Sequence, residues 1–409
     1  MLKAYEYRIY PTLEQEALFN QTLGLCRLYW NIIVFNKNQN HSMLIQGYKP
    51  IFEKYKPEAL KWAKEASCSI PLAQMWSDVR AAYTNFFKSC KGQRKGKFSQ
   101  LPEFKSKKNP KDSFRYSCSN CTPKIGKQGL YLTKKLGWIS GKFGCRFAEG
   151  KFRNITFRKT ATGKWFVKIC VEKKDELKNK NGKIVGIDWN CRDDFVVRSD
   201  GMKIKCPRYL QKSFKQLRHW QKIMSKRYVK GAPTQSSNYE KAKRKVALLH
   251  EYVAWQRKDF LHKESRKLCN EFQTVVCEDI NLQNMAENLY HGKVVGDQGF
   301  GMFRQMISYK GDLQKVSPKN TSKTCHVCGY INPQIKVGMN FWKCPICSSE
   351  HDRDINAALN ILSKHVSTRS IVGQEATEIT NACGEPRSSM KRESEQTSSA
   401  FWGKLFGIC

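Results

Sequence analysis

Two cysteine pairs late in the sequence have the spacing of a metal site. The pairs are CHVC at 325–328 and CPIC at 344–347, with 15 residues between them. A tight turn points both thiolates of a pair to one side, so four sulfurs can reach one tetrahedral ion. Because four thiolates leave no open coordination position, we predict a structural zinc ribbon, with His351 supporting a ligand or lying on the surface. The predicted ligands are Cys325, Cys328, Cys344 and Cys347.

Three acidic residues stand where predicted elements end or begin. Asp188 closes the apolar run KIVGID, Glu278 closes FQTVVCE, and Asp354 opens the helix INAALNIL. Taken singly, an acid after a strand is typical of a turn, and an acid before a helix is typical of a cap. Together they match the layout by which ribonuclease-H-like folds bind two divalent metal ions. Since hard carboxylate oxygens suit Mg²⁺, we predict that these three residues are the catalytic ligands of two Mg²⁺ ions that hydrolyse phosphodiesters.

Each of two predicted ligands has an acidic neighbour that competes for the same role. Asp352 and Asp354 flank Arg353, and spacing alone does not separate them. We favour Asp354, because it stands directly at the helix start. Glu278 is favoured over Asp279, because successive side chains of a strand point to opposite faces and Glu278 follows the apolar run.

The net charge of the chain limits the classes of partner that it is expected to bind. Lys and Arg number 73 against 35 Asp and Glu, a net charge of +38. So large a surplus favours a polyanionic partner, and nucleic acid releases counterions when its phosphates are neutralised. Apolar runs such as WNIIVF are far shorter than the roughly 20 residues of a membrane-spanning helix. Most of the 17 cysteines are single, which is typical of a reducing cytosol. We therefore expect a cytoplasmic or nucleoid-associated protein that binds no membrane and has no small-molecule substrate.

The first 175 residues divide into a strand, a helical stretch and a run of short strands. LKAYEYRIYP predicts a strand ending at Pro11, and Thr12 with Gln15 forms a capping box before helical texture to about residue 90. The basic loops KSCKGQRKGK and FKSKKNPKDSFRY suit phosphate contact and stacking, or are solvated basic faces. Residues 121–175 have the texture of a barrel or sandwich. Cys118 and Cys121 have the spacing of a metal-binding pair but lack a second pair nearby. We therefore expect them to be ordinary structural residues rather than metal ligands.

The strands and helices predicted after residue 175 must position Asp188 and Glu278. After the polar linker DELKNKNGK, KIVGIDWN predicts a buried strand and DFVVRS its hairpin partner, with Asp193 and Asp194 expected in the turn. Basic amphipathic helices are predicted at 209–229 and 239–268, followed by the buried strand FQTVVCEDI. The sequence after about residue 365 is rich in Ser, Thr, Glu and Gln, which predicts disorder.

The segments that carry these residues resemble a known family. GID with Asp188, VVCEDINLQNM with Glu278, SPKNTSKTCHVCG, and CPIC with HDRDINAALNI are similar to the TnpB proteins of bacterial insertion elements. Those proteins are relatives of type V CRISPR effector nucleases. YRIYPTLEQEALFNQTLGLCRLYWN and PEFKSKKNPKDSFRY resemble the family's amino-terminal half, so the likeness covers most of residues 1–362.

The resemblance implies an α/β multidomain fold and an RNA-guided DNA endonuclease. A guide RNA from the element's end region would pair with double-stranded target DNA beside a short adjacent motif, and the oligomeric state is left open. The implied domains are a wedge-type β-barrel at 1–11 and 121–178, a helical recognition insert with basic loops at 12–120, a RuvC-like (ribonuclease-H-like) nuclease domain at 179–315, a zinc ribbon insert at 316–353, a final RuvC-like helix at 354–365, and the tail at 366–409.

Two departures from the family pattern stand out. Family members usually have a small residue, often Gly, two places after the first catalytic Asp, whereas this chain has GIDWN with Trp189 and Asn190. The connection SYKGDLQKVSPKNTSKTC also looks short, as if part of a strand before the ribbon were missing. Neither departure removes a predicted metal ligand.

Three other functions remain open from sequence. A cleavage-deficient RNA-guided DNA-binding regulator would lose at least one catalytic carboxylate, whereas all three are present here. A strand-transferring transposase would use carboxylates and metal but bind element ends without RNA. A plain zinc-ribbon RNA-binding protein would explain the charge and the cysteines but leave the acidic pattern to chance. Co-purifying RNA separates the transposase from the RNA-guided functions.

Overall fold

The computed structural model describes residues 2–37, 53–54, 56–65, 69–94, 96, 98–106, 113–119, 123–144, 150–173, 181–190, 193–281, 296–336 and 338–379. The chain forms two compact units, and each is made of two chain segments. The first unit comprises Met1–Asn179 and Arg208–Glu264. The second unit comprises Lys180–Pro207 and Ser265–Cys409.

The first unit contains a seven-stranded antiparallel sheet. Its strands are β1 (Leu2–Tyr10), β2 (Ser113–Ser117), β3 (Lys124–Gly126), β4 (Gly129–Tyr131), β5 (Trp138–Gly141), β6 (Lys151–Lys159) and β7 (Trp165–Glu172). Their order across the sheet is β2-β6-β7-β1-β5-β4-β3. β1 pairs with β7 from Leu2 to Ile9 and with β5 near its end, so the opening strand is central to this sheet.

The helices of the first unit follow the predicted signals closely. Thr12 and Gln15 exchange backbone-to-side-chain hydrogen bonds of 3.0 and 3.3 Å, which confirms the predicted capping box. None of the helices in the described ranges combines the length and the apolar content that a membrane crossing requires. The helices are α1 (Leu13–Lys37), α2 (Pro57–Glu65), α3 (Ser69–Cys90), α4 (Tyr209–Arg227) and α5 (Ser237–Glu271), whose last turns enter the second unit.

β2 lies within residues 12–120, for which the resemblance implied a helical insert. It pairs with β6 along its whole length. Phe114 and Tyr116 alternate toward the core, and the ring of Phe114 stacks on Phe157 at a centroid distance of 5.1 Å. Phe19 of α1 packs against both rings. The five residues SFRYS are therefore held as a strand by burial of alternate aromatic side chains.

The second unit is built on a five-stranded mixed sheet. Its strands are β8 (Ile184–Trp189), β9 (Asp194–Arg198), β10 (Lys203–Lys205), β11 (Thr274–Glu278) and β12 (Asp312–Val316), in the order β10-β9-β8-β11-β12. β8, β11 and β12 are parallel, and β9 pairs antiparallel with β8, which confirms the predicted hairpin. β12 pairs with β11 at five positions, so a strand does precede the ribbon despite the short connection.

The remaining elements of the second unit follow the sheet. They are α6 (Phe300–Lys310), β13 (Phe341–Lys343), β14 (Glu350–Asp352) and α7 (Arg353–Ile379). α7 continues past residue 365 to Ile379, so the prediction of a disordered tail from residue 366 is wrong for its first part. Ile361 of this helix is fully buried, and helical residues follow it without an intervening Gly or Pro until Gly373. Residues 380–409 lie outside the described residues.

Gly186 of β8 lies in direct contact with α7. A Cβ atom at this position would lie 2.2 Å from the carbonyl oxygen of Ala358 and 3.0 Å from Cβ of Leu362. Real Cβ atoms essentially never approach a backbone oxygen so closely, so only glycine allows this separation between strand and helix. Because of this close approach, α7 packs on the face of β8 to which a side chain at position 186 would point.

We predict that Gly186→Ala destabilises the protein by roughly 1–3 kcal/mol, the usual cost of overpacking a core. The methyl group must displace the α7 backbone, which is not a flexible side-chain end. The measurement is the melting temperature of wild type, of Gly186→Ala and of a control variant in thermal denaturation. Gly24→Ala is the control, because Gly24 lies within α1 with open space around it and Ala should stabilise a helix there. Equal melting temperatures for wild type and Gly186→Ala would contradict the prediction.

Candidate active site and metal centre

The three predicted catalytic carboxylates lie on three neighbouring elements of the second unit. Asp188 is the penultimate residue of β8, Glu278 is the last residue of β11, and Asp354 is the second residue of α7. β8 and β11 are parallel, with Ile187 opposite Cys277, so Asp188 and Glu278 follow at the same level. The carboxyl ends of parallel strands meet at one edge of a sheet, and α7 packs against both β8 and β11.

The electrostatics of Asp188 link it to the other two acids. Burial raises the pKa of the Asp188 carboxyl well above its usual range, and the negative charges of Glu278 and Asp354 raise it further. The Arg353 guanidinium opposes this rise only in part. Glu278 and Asp354 therefore destabilise the ionised form of Asp188, as expected when like charges lie near one another.

Glu278 and Asp354 have raised pKa values for the same leading reason. Glu278 is 5% exposed, and burial raises its pKa against a hydrogen bond from the Thr321 hydroxyl and the charge of Lys364. Burial also raises the pKa of Asp354, while the charge of Arg353 opposes it. The side-chain amide of Asn190 donates a hydrogen bond to Asp354, with Nδ2 2.5 Å from Oδ2.

The structure separates the competing acids at the helix start. The Oδ1 atom of Asp352 accepts hydrogen bonds from the backbone N–H groups of Asp354 and Ile355, at 3.0 and 3.2 Å. Its other oxygen lies 2.5 Å from Nζ of Lys203 on β10. Asp352 is therefore the helix cap, and the carboxylate of Asp354 is left for the cluster.

The structure also separates the acids at the ends of the strands. Asp279 is exposed and forms an ion pair with Lys315, with 3.0 Å between Nζ and Oδ1, whereas Glu278 is buried. Asp194, expected in a turn, is the first residue of β9 and is buried. Lys205 of the adjacent strand pairs with its carboxylate at 2.8 Å, so a cross-strand ion pair holds Asp194 in the sheet. The turn prediction for Asp194 is therefore wrong.

The chemistry of the three acids suits a divalent cation, but among the described residues only the four cysteines bring three or more ligand atoms within 4.8 Å of one another. Glu278 and Asp354 both raise the pKa of Asp188, and the nearby cations Arg353 and Lys364 offset the raised pKa values of the cluster only in part. A dication would supply the missing positive charge, and carboxylate oxygens are the ligands that Mg²⁺ prefers. Asp188, Glu278 and Asp354 are the side chains that would hold it.

The raised pKa values predict a pH-dependent penalty in the metal-free protein. An acid whose folded-state pKa is raised binds its proton more tightly when folded, so its contribution to stability falls as pH rises from about 4 toward the raised value. Asp188→Asn removes this charge, so we expect its metal-free melting temperature to exceed that of wild type at pH 7.5, with a smaller difference at pH 5.

Added Mg²⁺ provides the internal control for this pH prediction. It should raise the melting temperature of wild type more at pH 7.5 than at pH 5, and should raise that of Asp188→Asn less. Differential scanning fluorimetry at both pH values measures all four combinations. A lower metal-free melting temperature for Asp188→Asn than for wild type at pH 7.5 would contradict the assignment of a repelled carboxylate.

The four predicted zinc ligands form one cluster. The sulfur atoms of Cys325, Cys328, Cys344 and Cys347 all lie within 4.8 Å of one another, and two of the Sγ–Sγ distances are 3.6 Å. A tetrahedral site with Zn–S bonds of 2.3 Å requires sulfurs about 3.8 Å apart. The cluster therefore fits one zinc ion.

The surroundings of the cluster favour bound thiolates. Nε2 of His351 lies 3.1 Å from Sγ of Cys325, and His351 is buried beside Trp342, which agrees with a supporting rather than ligating histidine. The Ser349 hydroxyl lies 2.7 Å from Sγ of Cys347, and together with the Ser349 backbone and the neighbouring cysteines it lowers the pKa of that thiol to about 6. Hydrogen bonds of this kind orient ligands and stabilise their charged form.

The structure adds residues that sequence reasoning missed. Asn356 and Asn360 of α7 donate to the backbone carbonyl of Thr324, at 2.8 and 2.6 Å, which ties the start of the ribbon to the helix that carries Asp354. Their spacing of four residues on one helix face is a signal that could have revealed them. Thr321, bound to Glu278, lies in the same segment. Cys118 lies near β2, and Cys121 lies outside the described residues.

Family models match three parts of the chain. OrfB_IS605, described as "Probable transposase", matches residues 168–289. The model "Cas12f1-like, TNB domain" matches residues 300–361, which include the four cysteines. HTH_OrfB_IS605, "Helix-turn-helix domain", matches residues 1–42.

Individual relatives match over most of the chain. "Putative RNA-guided DNA endonuclease" of Streptomyces pristinaespiralis is 30% identical over 98% of this chain and 98% of its own. "Putative RNA-guided DNA endonuclease InsQ" of Escherichia coli (strain K12) is 27% identical over 88% of this chain and 92% of its own. "TnpB-like protein MJ1635" of Methanocaldococcus jannaschii is 29% identical over 30% of each chain. Among solved structures, "Cryo-EM structure of the Cas12f1-sgRNA-target DNA complex" covers 88% of this chain and 98% of that chain, with 14% identity and a TM-score of 0.44.

Proposed function

Because the chain belongs to the TnpB family, we propose that it is an RNA-guided, divalent-metal-dependent DNA endonuclease of a transposable element. A guide RNA from the element's end region pairs with target DNA and reads its sequence, while the protein recognises a short adjacent motif. The net charge of +38 supports this division of labour, because a basic chain holds the phosphates of RNA and DNA without reading bases.

One observation supports the nuclease activity most strongly. Asp188, Glu278 and Asp354 lie at the carboxyl ends of β8 and β11 and the start of α7, and the pKa of Asp188 is raised by burial and by the charges of the other two. Acidic residues that serve only in turns or as helix caps do not need to lie near other negative charges. Perturbed carboxylates clustered at one sheet edge are typical of a catalytic site.

The residues of the chain have distinct parts in the proposed reaction. When bound, Mg²⁺ activates the attacking water and stabilises the leaving oxygen of the phosphodiester. Asp188 and Glu278 hold their carboxylates on rigid strand ends, and the cap by Asp352 fixes the first turn of α7 and with it Asp354. Thr321 holds one oxygen of Glu278. These contacts orient the carboxylates before the reaction begins.

We further propose a finer domain architecture. The five-stranded sheet of the second unit, with α7, belongs to a RuvC-like nuclease domain, and residues 316–353 form its zinc ribbon. The mixed order β10-β9-β8-β11-β12 and the position of the acids support this proposal. The seven-stranded sheet of the first unit belongs to a wedge-type barrel. The zinc is structural, because all four ligands come from the protein.

Exchange of the guide tests the proposed function. The protein is co-expressed with RNA from the region flanking its gene, the bound RNA is sequenced, and the binding of DNA duplexes is measured by gel shift. We expect binding of a duplex that matches the guide segment, and a new target when that segment is replaced. Equal binding of matched and mismatched duplexes would contradict guidance by RNA. Specific binding of the element's ends by RNA-free protein would support a strand-transferring transposase instead.

A further inference from the structure

Asn190 contacts a predicted catalytic carboxylate although it is not itself an acid. It follows β8 directly, two positions after Asp188. Successive side chains of a strand alternate between faces, so Gly186, Asp188 and Asn190 share one face of β8. Gly186 marks this face as the one against α7, because its missing side chain leaves room for the backbone of Ala358. Asn190 is therefore directed toward the helix that carries Asp354.

The backbone of Asn190 is held from two sides. Its N–H donates to the carbonyl of Phe195 at 3.3 Å, which closes the β8–β9 hairpin. The preceding residue, Trp189, is buried on the opposite face, with its ring 5.1 Å from that of Phe300 and 6.2 Å from that of Phe303. Because the backbone is fixed, the Asn190 side chain leaves it in a defined direction.

The contact with Asp354 is short and involves a defined oxygen. Nδ2 of Asn190 lies 2.5 Å from Oδ2 of Asp354, in a partly buried setting. An amide donor and an ionised carboxylate form a charge-assisted hydrogen bond, which is stronger than a neutral one. Among the described residues, Oδ1 of Asp354 accepts no hydrogen bond, so it remains available as a ligand.

Asp354 has charged neighbours as well as the neutral Asn190 amide. Lys203 also lies near Asp354, but its ammonium group is bound to Asp352 at 2.5 Å. Asn190 is neutral at every pH of interest, so its hydrogen bond adds no charge that would repel a cation.

On the basis of the proposed nuclease function, we propose that Asn190 is a positioning residue that orients Asp354 through Oδ2 and thereby increases the affinity of the carboxylate cluster for a divalent cation. One carboxylate oxygen is held by the amide, and the other is presented to the ion. Outer contacts of this kind typically change metal affinity by 10- to 100-fold when they are removed.

Binding of Mn²⁺ tests the role of Asn190 without relying on activity. Full-length protein is freed of nucleic acid in high salt, and free Mn²⁺ is measured by electron paramagnetic resonance during titration. We compare wild type with Asn190→Ala, which removes the side chain, and Asn190→Leu, which keeps its approximate size without the amide. We expect both variants to bind Mn²⁺ roughly tenfold more weakly than wild type. Asn85→Ala, a change on the exposed face of α3, should bind like wild type.

The possible outcomes separate this inference from the proposed function. Wild-type affinity in both Asn190 variants would overturn the role of Asn190 alone. Weak binding by Asn190→Ala together with wild-type affinity in Asn190→Leu would also overturn the role of Asn190. Packing of the side chain, rather than its hydrogen bond, would then support metal binding. If wild type bound Mn²⁺ no better than Asp354→Ala, the metal site itself would fail, and both proposals with it.

Activity gives a second readout for the same variants. If Asn190 acts through metal binding, the Mg²⁺ concentration for half-maximal cleavage should rise roughly tenfold in Asn190→Ala, while the rate at saturating Mg²⁺ changes much less. A residue needed only for folding would lower the rate at all Mg²⁺ concentrations equally. That second pattern would overturn the positioning role.

Discussion

Asp188→Ala is expected to reduce target cleavage at least about a thousandfold, or by about 4 kcal/mol of transition-state stabilisation. The substitution removes one of three carboxylates that would hold Mg²⁺, and the charges of the other two act on this group. RNA and target binding should stay within about twofold of wild type, because phosphate contacts depend on basic residues rather than on this acid. Single-turnover cleavage and gel-shift binding measure the two effects separately.

A matched pair of variants at the next strand end serves as the control for Asp188→Ala. Glu278→Ala should abolish cleavage in the same way, whereas Asp279→Ala should cleave like wild type, because Asp279 is exposed and paired with Lys315. Loss of target binding together with cleavage in Asp188→Ala would remove the main support for a catalytic role. Loss of cleavage in Asp279→Ala but not Glu278→Ala would make Asp279, rather than Glu278, the catalytic residue.

Cys344→Ser is expected to lose zinc and to unfold part of the second unit. Cys344 is 1% exposed, and its sulfur lies 3.6 Å from that of Cys328. Structural zinc supplies about 10–16 kcal/mol of apparent binding free energy in zinc-finger peptides, which is folding free energy when the free site is unformed. Native mass spectrometry should show one zinc ion in wild type and none in the variant.

The effect of Cys344→Ser should extend to the carboxylates. The segment leading into the ribbon carries Thr321, which binds Glu278, and Thr324, which is held by Asn356 and Asn360 of α7. Zinc loss should therefore also lower the cleavage rate. Cys90→Ser is the control, since this exposed thiol lies on α3 outside the cluster and its loss should leave zinc content unchanged. Undiminished zinc in Cys344→Ser would refute the ribbon.

Local patterns in the sequence predicted the elements that carry the site. The apolar runs before Asp188 and Glu278 are almost wholly buried in β8 and β11, and acids after such runs must emerge at the end of a sheet. The capping box at Thr12 and the two C-x-x-C turns were also predictable. Each depends on residues close in sequence, so its spacing alone carries the structural information.

Contacts between distant residues were not predictable in the same way. Asn190 and Asp354 are 164 positions apart, and Thr321 is 43 positions from Glu278. Nothing in the residues near Asn190 indicates that its amide meets a carboxylate on α7. The cap role of Asp352 and the ion pair of Asp194 with Lys205 likewise depend on tertiary neighbours. Such side chains are placed by packing, which local patterns do not encode.

Guided cleavage of a plasmid library distinguishes an RNA-guided nuclease from a protein that only binds its target. The library carries a site that matches the guide beside randomised bases, and the protein is supplied with its RNA and Mg²⁺. We predict cuts that depend on the guide and on a short adjacent motif, and that are absent with Asp188→Ala. Stable binding of RNA and matched target by wild type, without any cut, would contradict the nuclease and identify the protein as an RNA-guided DNA-binding regulator.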